Sequence, residues 1–407
     1  MDKELLKRIE DAIDKAMYDF KANENSIFDN EKEKLIFKYK SLAPLKRWKK
    51  KQTCIVRNCK NKSIERSHTI QKSGSIKNIA EDGHVLTPRF NIDIGEMEMF
   101  SIGINEASTF PGYCSEHERI FKDFENIKDF QTGEHIGLQL YRTVCREIVI
   151  TENHIKTTNQ LVKDYKIFRD KKINESIADN VGIETIKSEK INIKNLKFSN
   201  KDRRLQLAEN NIKEEKKYLD EFLYKFHDAI LNDLSKKKFQ KIAYKSIIYD
   251  REIPVALAGC GNFRIKLKSK FKNIEVILNV LPLENKTYIF IATLKKFTKE
   301  LDSYMSQFIN PLEVVSMIEN WMIHGSDHWF IKPSVWNKID ENKRQEILET
   351  ILDYSYNIGN EFTISIFNEL KMESIKLMEG NYDQLNNMLI DLLNKEKQKL
   401  TFANMRS

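Results

Sequence analysis

Proline is scarce in this chain, at 7 of 407 residues, and glycine contributes only 13. That excludes a Pro-rich or Gly-rich low-complexity protein and leaves long stretches with nothing to break a helix. Cysteine is scarcer still. Five, an odd number in a long chain, exclude a disulfide framework and point to a reducing compartment, the cytoplasm. No apolar run approaches the roughly eighteen residues needed to span a bilayer, so no membrane partner is expected. The opening MDKELLKRIEDAIDKAMYDF carries acids among its bases, unlike a secretory signal or a transit peptide.

What is present is charge and helical periodicity. Hydrophobic residues make up 41% and charged residues 31%, the balance of a helix-rich globular chain long enough for two or three domains. The charge is unevenly placed. From Lys34 to Lys72 there are thirteen Lys and Arg against one acid, Glu65, whereas Glu81 to Asp129 holds eleven acids and four bases. The basic block contains Tyr39 and Trp48, a composition suited to binding a phosphate backbone. Lys46, Arg47, Trp48, Lys49, Lys50, Lys51, Arg57 and Arg66 are its candidate nucleic-acid contacts.

Leu5, Ile9, Ile13, Met17 and Phe20 recur at helical spacing, and a second helix is expected over about 31–42, ending at Ala43-Pro44. Residues 53–113 read as short strands and loops punctuated by glycine and proline. A helix follows from Cys114 to about Asp129, and another covers Glu134 to about Lys171, with Leu138, Tyr141, Cys145 and Ile148 on one side. Residues 172–200 look like a linker. Leu205, Ala208, Ile212, Leu219, Phe222, Phe226, Ile230 and Leu234 mark a long amphipathic helix over 201–238, a candidate surface for a homo-oligomer or a partner protein. The period then shortens to about two: 241–249, 255–258, 274–280 and 287–294 read as an antiparallel sheet, with Gly259-Cys260-Gly261-Asn262 as a turn. Helices follow from about Glu300, interrupted at Asn310-Pro311, Gly325-Ser326, Lys332-Pro333 and Gly359-Asn360.

The residues that carry chemistry are Cys54, Cys59, Cys114 and His117, in the pattern Cys-x4-Cys followed by Cys-x2-His at a helix start. Two close pairs of such ligands are what a tetrahedral structural Zn²⁺ site asks for, with one pair on a knuckle and the other in the first helical turn, a treble-clef arrangement. Between them stands Ser67-His68-Thr69, at the expected end of a strand.

This arrangement resembles the zinc-containing branch of the HNH (His-Me finger, ββα-metal) endonucleases, over residues 54–129 only. The resemblance implies that His68 is a general base that activates water and that a loop asparagine orients it. Asn78, Asn91 and Asn105 are open for that place, and Asn105 is carried as the candidate. It further implies that Glu118 helps hold a catalytic Mg²⁺ or Mn²⁺, and that the substrate is DNA or RNA. The family carries Asp or His immediately before the base, and this chain has Ser67 there. A sheet domain joined to such a module would suit a bacterial antiviral defence effector. The other reading is a non-catalytic zinc finger that binds nucleic acid or a protein.

The remaining motifs read more simply. His324 and His328 flank Gly325 in a loop pinned by Trp329 and Trp336. His84 sits in a turn, Cys145 reads as core, and Arg142 and Arg146 either extend the basic face or pair with acids. The expected organisation is α+β, with an N-terminal helix (1–30), a zinc module (31–130), a helical connector (131–238) and a C-terminal sensor or regulatory domain of antiparallel sheet and helices (239–407).

Overall fold

The computed structural model describes residues 3–22, 51–91, 96–127, 129–181, 203–267, 270–351, 357–359 and 364–379, with 394 and 397 besides. The expected helix at 31–42 and most of the expected linker lie outside them. The chain elements, in order, are α1 (Lys3–Ala22), β1 (Ser67–His68), β2 (His84–Asn91), β3 (Glu96–Gly103), β4 (Thr109–Phe110), α2 (Lys122–Ile127), α3 (Gly133–Val181), α4 (Arg203–Tyr218), α5 (Tyr224–Ser235), β5 (Ile242–Tyr249), β6 (Val255–Leu267), β7 (Lys270–Leu283) and β8 (Lys286–Leu294). After them come α6 (Thr298–Met305), α7 (Pro311–Asn320), β9 (Trp329–Ile331), α8 (Pro333–Asn337), α9 (Glu341–Ile351) and α10 (Asn368–Glu379). The class is α+β with a C-terminal antiparallel sheet, as the sequence implies.

The described residues fall into two compact units, those within 1–50 and 150–220 and those within 51–149 and 221–407. In the first, the tail of α3 runs antiparallel to α4, tied by His154 to Glu215 at 2.5 Å and Lys166 to Glu209 at 2.6 Å. α1 contributes buried Ile9 and Ala12.

The second unit is built on seven antiparallel strands in the order β3-β2-β9-β6-β7-β8-β5. The hairpin β2–β3 comes from the stretch read as the zinc module, yet Leu86 pairs with Ile331 of β9. One sheet therefore draws strands from both sides of the long helices. Its two faces are separated by the period of two. Leu257, Val276, Leu278, Val280, Ile289 and Ile291 face a core completed by Leu301, Val315, Ile318, Trp321 and Ile347 of the C-terminal helices. The alternate residues face the other way, where Phe130 packs on Tyr288 and Phe290 at 5.2 Å between ring centroids.

Two expectations are corrected here. Gly259-Cys260-Gly261-Asn262 is not a turn: all four lie inside β6, which pairs with β7 from Leu257↔Val280 to Leu267↔Lys270. The glycines are there for space. A Cβ on Gly259 would stand 1.9 Å from Ser326 Oγ, and one on Gly261 would stand 3.2 Å from Gly325 Cα. The first part of α3 is not apolar on one side only. Residues Gln139 to Cys145 are all buried, because this stretch is enclosed on every side. Asn310 does interrupt the C-terminal helices as expected, capping α7 by accepting from Glu313 N–H at 3.0 Å, with Pro311 in the first turn.

Candidate metal centre

The knuckle is set by backbone geometry. Thr53 and Lys62 form an isolated bridge, Cys54 N–H donates to Asn61 O at 2.9 Å and Cys59 N–H to Val56 O at 3.0 Å. Asn58 supplies the left-handed residue, φ 65°, that closes the turn. Ile55 N–H donates to Gly112 O at 2.9 Å and Ile64 N–H to Tyr113 O at 2.7 Å, so the knuckle is stitched to the segment bearing the second pair. Gly112 admits no side chain, since a Cβ there would enter the Phe110 ring. His117 opens a 3₁₀ turn, His117–Phe121, that leads into α2.

The four candidate ligands come together. Their donor atoms all lie within 4.8 Å of one another, with Cys114 Sγ 3.2 Å and Cys54 Sγ 3.5 Å from His117 Nδ1, and Cys59 Sγ 4.0 Å from Cys114 Sγ. Tetrahedral zinc with bonds near 2.1–2.3 Å sets donor separations of about 3.5–3.8 Å, so the group is of the right size to hold such an ion. The thiols already differ. Burial pushes Cys54 up to about 11, whereas Cys114, though also buried, is drawn down to about 6 by the His117 and Glu116 backbone N–H groups at the helix start. A metal would take up thiolate there with little further organisation.

β1 pairs with β4, Ser67↔Phe110 and His68↔Thr109, so this short hairpin bridges the knuckle and the helical turn. Consecutive residues of a strand face opposite sides, and here the two sides differ in chemistry. His68 is half-buried, with Nδ1 3.1 Å from Ala107 O. A carbonyl only accepts, so Nδ1 carries the hydrogen and Nε2 keeps its lone pair. Burial holds the imidazole down to about 4, and Arg142, Lys72 and Arg66 lower it further, against the Ala107 carbonyl. It is therefore neutral at physiological pH. Lys72 donates to Asn105 Oδ1 at 3.1 Å, which keeps exposed Asn105 in this neighbourhood. Asn91 instead sits at the far end of β2, bonded to Glu98 at 3.0 Å.

Ser67, on the other side, is buried and accepts from Tyr113 N–H at 3.2 Å. Glu118 belongs to this side. Burial raises its carboxyl above the ordinary range, against the pull of the Arg142 guanidinium and the Ser67 hydroxyl. Arg142, from the enclosed stretch of α3, is fully buried. Its Nη2 lies 2.7 Å from Glu125 Oε1 and 3.5 Å from Glu118 Oε1, and its guanidinium stacks 4.0 Å from the centre of the Phe121 ring.

These contacts bear on the fit of a catalytic Mg²⁺ or Mn²⁺. Such a cation wants about six oxygens at roughly 2.1 Å, with a carboxylate or two free to bind it. Here the hydroxyl serves a backbone amide and the carboxylate faces a fixed cation. The only group of three or more metal-capable side chains among the described residues is the Cys₃His set. The Cys₃His set is of the right size for zinc, while at Glu118 one carboxylate oxygen lies 3.5 Å from Arg142 and the other is buried with no hydrogen-bond partner.

Of the candidate nucleic-acid contacts, Lys51 and Arg57 are exposed beside the knuckle, and exposed Arg66 pairs loosely with Glu106 at 3.4 Å. Lys46, Arg47, Trp48, Lys49 and Lys50 lie outside the described residues. His328 is no metal partner for His324: it is buried, its Nδ1 bonds Ala258 O at 2.6 Å, and its ring meets Phe330 edge-on. His84 is exposed and bonds the Asp82 carbonyl at 2.9 Å, and Cys145 is buried core.

The sequence named Arg142 but not its place, and it missed the polar seam behind β1. Gln139 Nε2 donates to Thr69 O at 3.1 Å and to Asn279 Oδ1 at 2.9 Å, while Thr143 donates to the same Asn279 oxygen at 2.9 Å. The signal was there in part. Gln139 and Thr143, four apart in an apolar helix, needed a polar partner, and Asn279 stands in an otherwise apolar strand. Comparison with protein-family models, curated proteins and solved structures finds no match to this chain.

Proposed function

We propose that residues 51–130 form a zinc-braced nuclease module that cleaves phosphodiester bonds of nucleic acid, with His68 as the general base. The observation that carries this reading is the tautomer. The Ala107 carbonyl holds Nδ1–H at 3.1 Å, so a half-buried, neutral imidazole keeps the lone pair on Nε2 at the end of a short hairpin. The Cys₃His group, taken as a structural Zn²⁺ site, fixes the two segments that flank this hairpin. Lys72 and Arg66 place positive charge beside the ring, and Lys51 and Arg57 extend it toward the preceding basic block. Asn105, tied to Lys72 at 3.1 Å, takes the role of orienting a phosphate or a water in this reading.

The test is direct. The protein, with its zinc counted, is incubated with plasmid DNA and with RNA beside His68→Ala. Cleavage lost in the variant by 100-fold or more, with zinc retained, supports the base role, since general acid–base groups contribute about 10²–10⁴. Cleavage that persists in His68→Ala refutes it. A second reading has its own observation: Ser67, where an HNH enzyme carries a metal ligand, is buried and occupied with Tyr113 N–H. A non-catalytic zinc finger predicts salt-sensitive binding with no cleavage of either nucleic acid.

A further inference from the structure

We infer that the outer part of the β6–β7 hairpin is a second nucleic-acid surface, a basic two-stranded ribbon that enters the major groove of duplex DNA. The inference stands apart from the nuclease reading, since none of its residues belongs to the zinc module. It begins with the sheet. β9 pairs with β6 only over residues 255–257, and β8 pairs with β7 only from Ile277 onward. β6 and β7 nevertheless stay paired out to Leu267↔Lys270. Among the described residues, 262–267 and their partners 270–275 therefore have no strand on either flank.

The base of this ribbon is fixed and its outer part is bare. Phe263 is buried and stacks on Tyr304, with ring centroids 4.8 Å apart and planes 8° from parallel. Ile274, opposite Phe263, is buried, and Ile358 N–H donates to Asn262 O at 3.0 Å. Beyond that footing the charge is of one sign. Between Asn262 and Glu275 the sequence holds five Lys and Arg and one acid, Glu275 itself. Four of those cations, Arg264, Lys266, Lys270 and Lys272, are described, and all four are exposed. Residues paired across a ribbon share a face. Arg264 and Lys266 therefore lie with Asn273 and Phe271 on one side, and Lys270 and Lys272 lie on the other. Arg264 Nε donates to Asn273 Oδ1 at 3.2 Å, and Lys272 Nζ stands 4.5 Å from the centre of the Phe297 ring.

Shape and charge together choose the occupant. Five steps of about 3.4 Å carry residues 262–267 about 17 Å, in a ribbon whose strands lie about 4.8 Å apart. The major groove of B-DNA, about 12 Å wide and about 8.5 Å deep, admits such a ribbon. Cations on both faces then meet the phosphates on both walls of the groove. An RNA helix has a major groove too narrow for side chains to read. Single strands are held on several aromatic rings, one for each stacked base, and this face offers Phe271 alone. In the groove that ring, 67% exposed, has a partner in the methyl group of thymine, and Arg264 and Asn273 have theirs in base edges. Lysines that only guard an edge against other strands have no use for so exposed a ring.

The experiment uses the full-length, zinc-loaded protein, in its original form and as His68→Ala, which keeps the probe whole if it is cut. Fluorescence anisotropy follows binding to a short DNA duplex, to the RNA duplex of the same sequence and to each single strand. Sedimentation with phosphatidylcholine–phosphatidylserine vesicles tests an anionic membrane instead. Duplex DNA should bind tightest. If each of the four cations meets one phosphate, together they steepen the fall of log affinity with log salt by about 3.6, or about 150-fold between 50 and 200 mM. Arg264→Gln, Lys266→Gln, Lys270→Gln and Lys272→Gln combined should lose that share at unchanged Tm, since all four side chains are exposed. Lys266→Arg, Lys270→Arg and Lys272→Arg combined should keep it. Lys51→Gln with Arg57→Gln, beside the knuckle, should leave it in place, and Phe271→Ala should weaken binding with the salt slope unaltered. An unchanged slope in the glutamine variant, loss of the slope in the arginine variant, tighter binding of RNA, single strands or vesicles, or no binding at all would overturn the inference. Cleavage is read separately, so this inference and the nuclease reading can fail independently.

Discussion

Replacing Arg142 with methionine tests how far its guanidinium holds the module together and whether it bars a cation from Glu118 and Glu125. The stability cost follows from its contacts. Removing one partner of a buried ion pair costs about 3–5 kcal/mol. Glu118 and Glu125 have side chains 22% and 27% exposed, so water reaches the carboxylates once the guanidinium is gone, which favours the lower end. Methionine restores much of the packing on Phe121 but not the cation–π attraction, worth about 2 kcal/mol when desolvated. A net loss of about 3–4 kcal/mol is expected. For a folding unit of this size that is a fall of roughly 6–8 °C in Tm. Removing the cation also removes a barrier. A divalent ion about 4 Å from a guanidinium is repelled by about 8 kcal/mol at an effective dielectric constant of 20. In Arg142→Met the two carboxylates are free to bind Mn²⁺. At ten times its dissociation constant, Mn²⁺ would then return about 1.4 kcal/mol, or roughly 3 °C. Differential scanning calorimetry of both proteins, zinc-loaded, with and without millimolar Mn²⁺, reads both effects. If the unmodified protein gains as much from Mn²⁺ as the variant, Arg142 does not block the site and the reasoning fails.

Three further outcomes are expected. Cys114→Ser should drop zinc well below one per chain and raise hydrogen exchange in residues 51–66 and 111–121, while β6–β8 stay protected; the strands rest on a separate apolar core, so uniform loss of protection would refute this. Acid should destabilise the second unit: His68, held down to about 4, stays neutral in the folded chain while the unfolded chain takes up its proton near 6.5. Stability from this group is therefore complete above about pH 6.5 and is lost as pH falls toward 4, about 2 kcal/mol being gone by pH 5, and a flat Tm from pH 7 to 5 would contradict it. His328, which burial and Arg146 also hold well below its usual value, adds a loss of the same sign, and His328→Asn should shallow the slope. Gly259→Ala should cost about 1–3 kcal/mol through the contact with Ser326 Oγ at 1.9 Å, and Ser326→Gly should relieve most of it; a variant of undiminished Tm would show that the loop yields freely.

The four side chains that could hold a metal were legible because they are set by local spacing: each pair lies close in the chain, and only the closure between pairs had to be supplied by folding. β5, β7 and β8 were legible for a similar reason, since each is a short β-branched and aromatic run bounded by turn residues. β6 was half missed. Its glycines carry the mark of a turn, and only the approach of Ser326 and Gly325 from some sixty residues away shows them to be a groove in a strand. The hairpin β2–β3 was read with the knuckle beside it in sequence, but its membership of the sheet is decided by the pairing of Leu86 with Ile331, which no local pattern records.

The same distinction applies to Glu118. Glu118 reads as a cation ligand as long as its neighbours are Glu116 and Arg119; folded, its decisive neighbour is Arg142, brought in by a different helix. A two-residue strand then divides the labour. Ser67 faces inward and braces the turn through Tyr113, while His68, half-buried, has its tautomer fixed by Ala107.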